Sequence, residues 1–324
     1  ILIGLVGSEM CIRDRYGTIS SEGDFTFDTK GTLRQHGQIA VTDGNADFTA
    51  GSAFRQYGDI ILANGSGTVS AGGDALQTGK LVAQKGSIAV TAANDLKNTG
   101  TISAAAKLDI NTVKDITQIQ GVMIGGNGTV VNANNLTNNG GVIFSGADID
   151  LTIKNKLQNL NSASIYAQGD VTIGSGTGKT AELLNQSSTI RGDKNVHIAA
   201  ESLTNEKREF ITGWDVTETD HDIALPGFSL SGKYYNARRY FHRVVQDGTI
   251  YLDSPAAYIL SGADMTIDAD TVDNEYSFIT AGHDLDLAAA SLTNIGYKNI
   301  KRTTETGTDA VSYTHLTLPT NSRV

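Results

Sequence analysis

Apolar and polar positions alternate along this chain in short runs of four to seven residues, and the runs break at Gly, Asn or Asp. Alternation with period two puts successive side chains on opposite faces of an extended strand, so the pattern predicts short β-strands joined by tight turns. One stretch states the unit in full: Leu136-Thr137-Asn138-Asn139-Gly140-Gly141-Val142-Ile143-Phe144-Ser145-Gly146-Ala147-Asp148-Ile149-Asp150-Leu151. It consists of a Leu-x-Asn step, a glycine, a β-branched run, and a Gly-Ala-Asp step that opens the next alternation. The step recurs at Leu33-Arg34-Gln35, Phe54-Arg55-Gln56, Leu96-Lys97-Asn98, Leu157-Gln158-Asn159, Leu203-Thr204-Asn205, Val272-Asp273-Asn274 and Leu292-Thr293-Asn294. The amides at 98, 118, 138 and 159 are 20, 20 and 21 residues apart. The chain is therefore a repeat protein.

The period selects the architecture. Twenty residues at roughly 3.3 Å each trace about 66 Å, a reasonable perimeter for one coil of two or three strands. Stacked coils satisfy their backbone donors and acceptors against the copies above and below. A helical repeat would need 3.6-residue periodicity, which is missing here. The expected fold is all-β, a parallel β-helix (β-solenoid) of about 20-residue coils with one non-repeat insertion. The expected organisation is coils over 17–205, an insertion over 206–250, coils again over 251–300 and a polar tail over 301–310. Nine or so coils precede Glu206. Between Gly58 and Gly100 the frame blurs, because the match at Gln84 falls 28 residues after Gln56 and 14 before Asn98. A loop shifted between neighbouring coils would account for this. Asn98, Asn138, Asn159, Asn205, Asn274 and Asn294 read as a structural column, since stacked amides can hydrogen-bond along the axis and Asn tolerates a sharp corner. The functional alternative for the column is a row of amides that recognises a polymer such as a glycan.

The two ends stand apart. Glu9-Met10-Cys11-Ile12-Arg13-Asp14 can be encoded by a string whose reverse complement translates as Val-Ser-Tyr-Thr-His-Leu, and those residues stand at Val311 to Leu316. An in-frame inverted repeat bracketing a reading frame is what a sequencing adapter leaves, so 1–16 and 311–324 are expected to be adapter-derived and the natural chain to continue at both ends. Cys11, the one cysteine, goes with them, which removes thiol chemistry from consideration. Without the ends, 22 Lys and Arg face 33 Asp and Glu. An acidic chain without a basic stripe argues against nucleic acid as a partner. No apolar run approaches the roughly 18 residues of a transmembrane segment. No cofactor or metal is called for.

Candidate chemistry gathers where the repeat breaks. The stretch Glu206 to Gly248 holds Trp214, an acidic run around His221, and the basic aromatic string Tyr234-Tyr235-Asn236-Ala237-Arg238-Arg239-Tyr240-Phe241. Trp, Tyr and Arg dominate interface hot spots, so Trp214, Tyr234, Tyr235, Arg238, Arg239 and Tyr240 are the candidate partner-binding residues. The plainer reading is an extra hairpin with solvated charges. Three local matches are weaker. Gly174-Ser175-Gly176-Thr177-Gly178-Lys179-Thr180 is one residue short of a phosphate loop and has no helix after it. Arg191-Gly192-Asp193 spells an adhesion tripeptide, but its Gly-Asp reads as the repeat's own turn. The carboxylates beside His221 match no metal-ligand spacing.

Leu-Thr-Asn-x-Gly-x-Ile followed by Gly-Ala-Asp-Ile-Asp-Leu resembles the repeats of filamentous hemagglutinin-type two-partner-secretion exoproteins, the adhesins and contact-dependent growth inhibition toxins. The stretches Ser254-Pro255-Ala256-Ala257-Tyr258-Ile259 and Asn274-Glu275-Tyr276-Ser277-Phe278-Ile279 are similar to them too. The resemblance covers about 17–205 and 250–300. It implies a right-handed β-helix inside a long secreted or cell-surface protein, an outer-membrane two-partner-secretion transporter acting on an N-terminal region missing here, and a cell-surface receptor or glycan as partner. Function is then that of a shaft and not of an enzyme. The alternative is a β-helix polysaccharide lyase or hydrolase, which needs converging carboxylates. Asp148 and Asp170 on successive coils are the nearest approach to that. A third reading makes the insertion a dedicated receptor-binding module.

Overall fold

In the computed structural model, residues 17–176, 178–224, 228–230, 233–298 and 300–313 are described. Side chains of 220–242 and 305–313 fall outside that description. The chain divides into two compact units, one of residues 1–208 with 254–296 and one of 209–253 with 297–324. The first unit is a parallel β-solenoid. Every coil supplies three strands that stack in three columns. The first column has eleven strands, from Thr18–Ser21 through Val142–Ser145 to Phe278–Ala281. The second runs from Phe25–Thr29 and the third from Leu33–Gln35, and both reach Leu285–Ile295. Nine strands of the first column precede the insertion.

Register explains why this sequence closes into coils. Ile39, Ile60, Leu81, Ile102, Met123, Ile143, Ile165, Ile190 and Ile259 pair in one line down the first column, all buried. Leu96, Ile116, Leu136, Leu157, Leu183, Leu203 and Val272 form the matching line in the third. Alternate residues point outward, as the period-two pattern requires. Volume is balanced within coils. Where the second column shrinks to Gly67, the Leu62 side chain fills the space, and an added Cβ would sit 3.5 Å from its methyl.

The blurred stretch contains no shifted loop. Ala75-Leu76-Gln77 pairs with Phe54-Arg55-Gln56 on one side and Leu96-Lys97-Asn98 on the other, so two regular coils separate Gln56 from Asn98. The apolar mark of the step fell on Leu76, which faces out, while the inward position is the small Ala75. That displaced the apparent motif to Gln84.

Coils come in two kinds. Up to Asn98 the corner after the amide is short, and glycine backbones stack there. A Cβ at Gly58, Gly79 or Gly100 would collide with the carbonyl of the glycine one coil below. From Gln118 onward the corner includes a left-handed residue: Gln120 (φ 53°), Gly140 (62°), Asn161 (57°), Ser187 (47°) or Tyr276 (50°). The second and third strands also fuse in most later coils, as in Thr129–Asn139 and Ile149–Leu160.

The second unit is a four-stranded sheet of separate construction. Phe210–Ala224 pairs antiparallel with Lys233–Asp253, which also pairs with Phe228–Leu230 and with Lys301–Tyr313. Tyr251, where the sequence pattern has the repeat resuming, lies in this sheet. The 301–310 stretch, read from sequence as a polar tail, is strand as well.

Because each coil touches only its neighbours, a core cavity should act locally. Leu157→Ala is expected to cost about 2–5 kcal/mol. Amide exchange should report the loss chiefly in the coils carrying Leu136 and Leu183. Uniform loss of protection along the solenoid would contradict this.

Candidate functional site

The amide column is the most regular polar feature of the molecule. Asn98 Nδ2 donates to Gln118 Oε1 (3.1 Å), Gln118 to Asn138 (3.0 Å), Asn138 to Asn159 (2.9 Å) and Asn159 to Asn185 (2.9 Å). The chain of bonds continues through Asn205, Asn274 and Asn294 at 2.8 Å each. From Asn98 to Asn205 the carboxamide also donates to a backbone carbonyl at the start of the next coil's first strand, such as Val142 O for Gln118 and Thr189 O for Asn159, while Asn274 donates to Ser277 O in its own corner. Most of these side chains are fully buried. A buried amide that lost its partner would cost about 1–3 kcal/mol, so the column tolerates few alternatives. All six asparagines named from the sequence lie in it, together with Gln118 and Asn185. Gln35, Gln56 and Gln77 continue the line toward the N-terminus. With a longer arm they bond backbone in their own coil and the next, as Gln56 does to Gly58 O and Lys80 O. Gln77 was missed for the reason given above.

The Gly-Asp steps have a related geometry. Asp24 Oδ1 accepts the Asn45 N–H, Asn45 Oδ1 accepts from Ser66, Asp148 from Asp170 (2.8 Å) and Asp170 from Asn195 (2.9 Å). Asp148 and Asp170 are thus turn acceptors that tie one coil to the next.

In the second unit, Trp214 and Arg302 share one face of the sheet, with the guanidinium 5.9 Å from the ring centroid. Trp214 is 37% exposed, and Val216 and Ile250 are open to solvent on the same face. On the other face the Tyr251 ring lies over Gly213, where a Cβ would strike it. Its hydroxyl donates to Asp215 (2.7 Å), which holds that carboxyl below the usual carboxylate range and raises the phenol. Tyr234, Tyr235, Arg238, Arg239 and Tyr240 lie on the strand Lys233–Asp253, but their side chains lie outside the described residues, as do those of Asp220, His221 and Asp222. Trp214 is therefore the one candidate partner residue whose surroundings are seen. Among the described residues, no group of three or more His, Cys, Asp or Glu could hold a metal ion.

The haemagglutinin repeat family model matches residues 15–118, 86–159, 145–220 and 251–304, which is most of the chain. The chain belongs to the haemagglutinin repeat family. It is also similar to Toxin CdiA of Escherichia coli, 26% identical over 236 residues, covering 61% of this chain and 7% of that protein. The chain thus spans a small part of the curated relative's length. No solved structure matches it. The match places the chain among exoproteins of the filamentous hemagglutinin and contact-dependent inhibition type, as a piece of their repeat shaft.

Two motifs look different inside haemagglutinin repeats. Gly192-Asp193 is not the repeat's own turn. Gly192 pairs with Ala167 and Ser261 in the first column, so it fills a small inward position, and the turn equivalent to Gly169-Asp170 is Lys194-Asn195. Arg191 and Asp193 satisfy each other at 2.7 Å, Tyr166 donates to Asp193 at 2.6 Å, and the guanidinium lies 5.2 Å from the Tyr166 ring. The tripeptide is an internally satisfied surface cluster. In the phosphate-loop look-alike, Lys179 is held by Asp268 (2.9 Å) and Asp270 (2.7 Å), and Thr180 donates to Ile153 O inside the coil.

Asn159→Leu should remove about 1–3 kcal/mol for each partner left orphaned, whereas Asn155→Ala, exposed on the same strand, should stay within about 0.5 kcal/mol of the parent. Chemical denaturation of the two variants decides it. Asp193 has a lowered pKa, first through the Tyr166 hydrogen bond and then through Arg191. Its stabilisation is present above the ordinary carboxylate range and is lost as pH falls through the lowered value. Tyr166 is raised, so its share persists below the ordinary phenol range and is lost as pH rises through the raised value. Titration of the Asp193 carboxyl by NMR should show an upward return in Tyr166→Phe and in Arg191→Ala alike.

Proposed function

We propose that the chain is the load-carrying shaft of a secreted, surface-exposed exoprotein, and that the antiparallel hairpin of residues 209–253 contacts a receptor or glycan on another cell. The supporting observation is continuity. Asn205 and Asn274 are 69 residues apart in sequence, yet they share the same 2.8 Å amide bond as neighbours 20 residues apart. The coil stack therefore continues across the whole excursion without a missing rung. A coil stack that tolerates such an insertion without interruption suits presentation of binding or toxic parts away from a cell surface. Export by an outer-membrane two-partner-secretion transporter belongs to the same reading. The exposed Trp214 under Arg302, with Val216 and Ile250 beside it, gives the hairpin an aromatic and cationic face of the composition that dominates hot spots.

The lyase or hydrolase alternative is less well supported, because Asp148 and Asp170 serve as turn acceptors in a series of similar turns. The decisive experiment replaces Trp214, Tyr235 and Arg239 by alanine together and measures binding of the purified chain to intact cells and to a glycan array. Loss of about tenfold or more in affinity is expected if these residues form a hot spot. Unchanged binding with an unchanged melting profile would refute the hairpin's role and leave the shaft. Release of reducing ends from polysaccharide would restore the enzyme reading.

A further inference from the structure

The second column carries an open groove on its outer surface that neither the repeat nor the hairpin explains. Its floor is one line of outward residues from four successive coils, Asp150, Thr172, His197 and Thr266, paired in register. At the roughly 4.8 Å spacing of stacked strands, the line is about 14 Å long. One wall is made by Gly174, Gly176 and Gly178, the described lining residues of a strap that lengthens this coil relative to its neighbours. At one end, Gly176 (φ 96°) lies against Thr152, where an added Cβ would be 3.3 Å from its methyl. At the other, Lys179 reaches two coils forward to Asp268 and Asp270. The groove offers about 390 Å³, within the range of small-molecule sites.

The lining has a definite chemistry. Apart from the backbone it offers carboxylate, hydroxyl and imidazole groups in a row, and three glycines keep the strap's amides within reach of a ligand. Large apolar and aromatic side chains do not project into it, which argues against a hydrophobic ligand. Lys179 is already committed to two carboxylates. Asp150 and His197 have no hydrogen bond or ion pair to described residues, so a carboxylate and an imidazole face the groove unspent. Polar groups repeating at one strand spacing suit a linear chain of polyhydroxylated rings. The surplus of negative charge favours a cationic one and disfavours an acidic one.

We infer that this groove is a saccharide subsite for two or three linked amino-sugar rings, with Asp150 taking the ammonium group and Thr172, His197 and Thr266 the hydroxyls. The strap positions the ligand and is held by Lys179.

The test is calorimetric titration of the full chain with a β-1,4-linked glucosamine trimer, its N-acetylated counterpart and a galacturonate trimer. Binding of the glucosamine trimer is expected, weakened about tenfold or more by Asp150→Asn, the scale of one charge-assisted hydrogen bond. His197→Ala should weaken it less. Because both side chains point outward from the coil, the melting temperature should hold in both variants. The inference is overturned if the glucosamine trimer fails to bind at millimolar concentration. Equal affinity for the acetylated or acidic trimer overturns it too, as does binding that survives Asp150→Asn unchanged.

Discussion

Everything in the solenoid depends on one constraint: the backbone of each coil must find its hydrogen-bond partners in the coils above and below. Parallel stacking meets this at a fixed spacing, and the fixed spacing then controls every side chain. Residues at equivalent positions are brought into line whether they are apolar, amide or acidic. Identical demands act at each level, so the sequence repeats. The inner lines of Ile and Leu exclude water. The amide line satisfies a corner that would otherwise bury polar backbone, and the Asp line joins turn to turn. A carboxamide suits the corner because it carries two donors and one acceptor on a planar group. One donor and the acceptor maintain the line, while the second donor serves the neighbouring backbone.

The two kinds of coil show how the constraint is met by different means. In the N-terminal coils the corner is tight, glycines lie directly over glycines, and Gln35, Gln56 and Gln77 spend their amides on backbone. From Gln118 onward the corners carry left-handed residues, and the amides bond to one another. The left-handed position accepts Gln, Gly, Asn, Ser and Tyr here, since packing from both sides holds the backbone in place. Asn98 in the last tight corner and Gln118 in the first left-handed one mark the transition, and the line of amide-to-amide bonds starts between them.

This accounts for how much could be read from residues alone. Period-two runs and the Leu-x-Asn spacing were sufficient for the fold, because stacking turns each local choice into a repeated one. The amide positions were legible for the same reason, except Gln77, where the inward residue was a small alanine and an outward leucine misled the frame. Gly192 was misread because a glycine in an inward line and a glycine in a turn are the same letter, and pairing partners are needed to separate them. The Gly174 to Lys179 connection showed only as excess length. That Lys179 crosses two coils to reach Asp268 and Asp270 depends on contacts 91 residues apart in sequence for Asp270, which no local pattern contains. The hairpin lacks the repeat altogether, so its antiparallel pairing and its union with Lys301–Tyr313 left no periodic trace.

The amide line also has a sense of direction. From Asn98 to Asn274 each carboxamide donates to the amide on its C-terminal side, and from Gln118 to Asn294 each accepts from the amide on its N-terminal side. Reversing one group would set donor against donor at one end and acceptor against acceptor at the other, so the orientation is shared by all, and each bond polarises the next. A coil added on the C-terminal side therefore meets N–H groups, whereas at the N-terminal end of the line the Asn98 carbonyl is taken by the Gly100 N–H. The two ends of such a rod are chemically unequal, and a chain that folds as it emerges from one direction would add its coils to a surface with a built-in polarity.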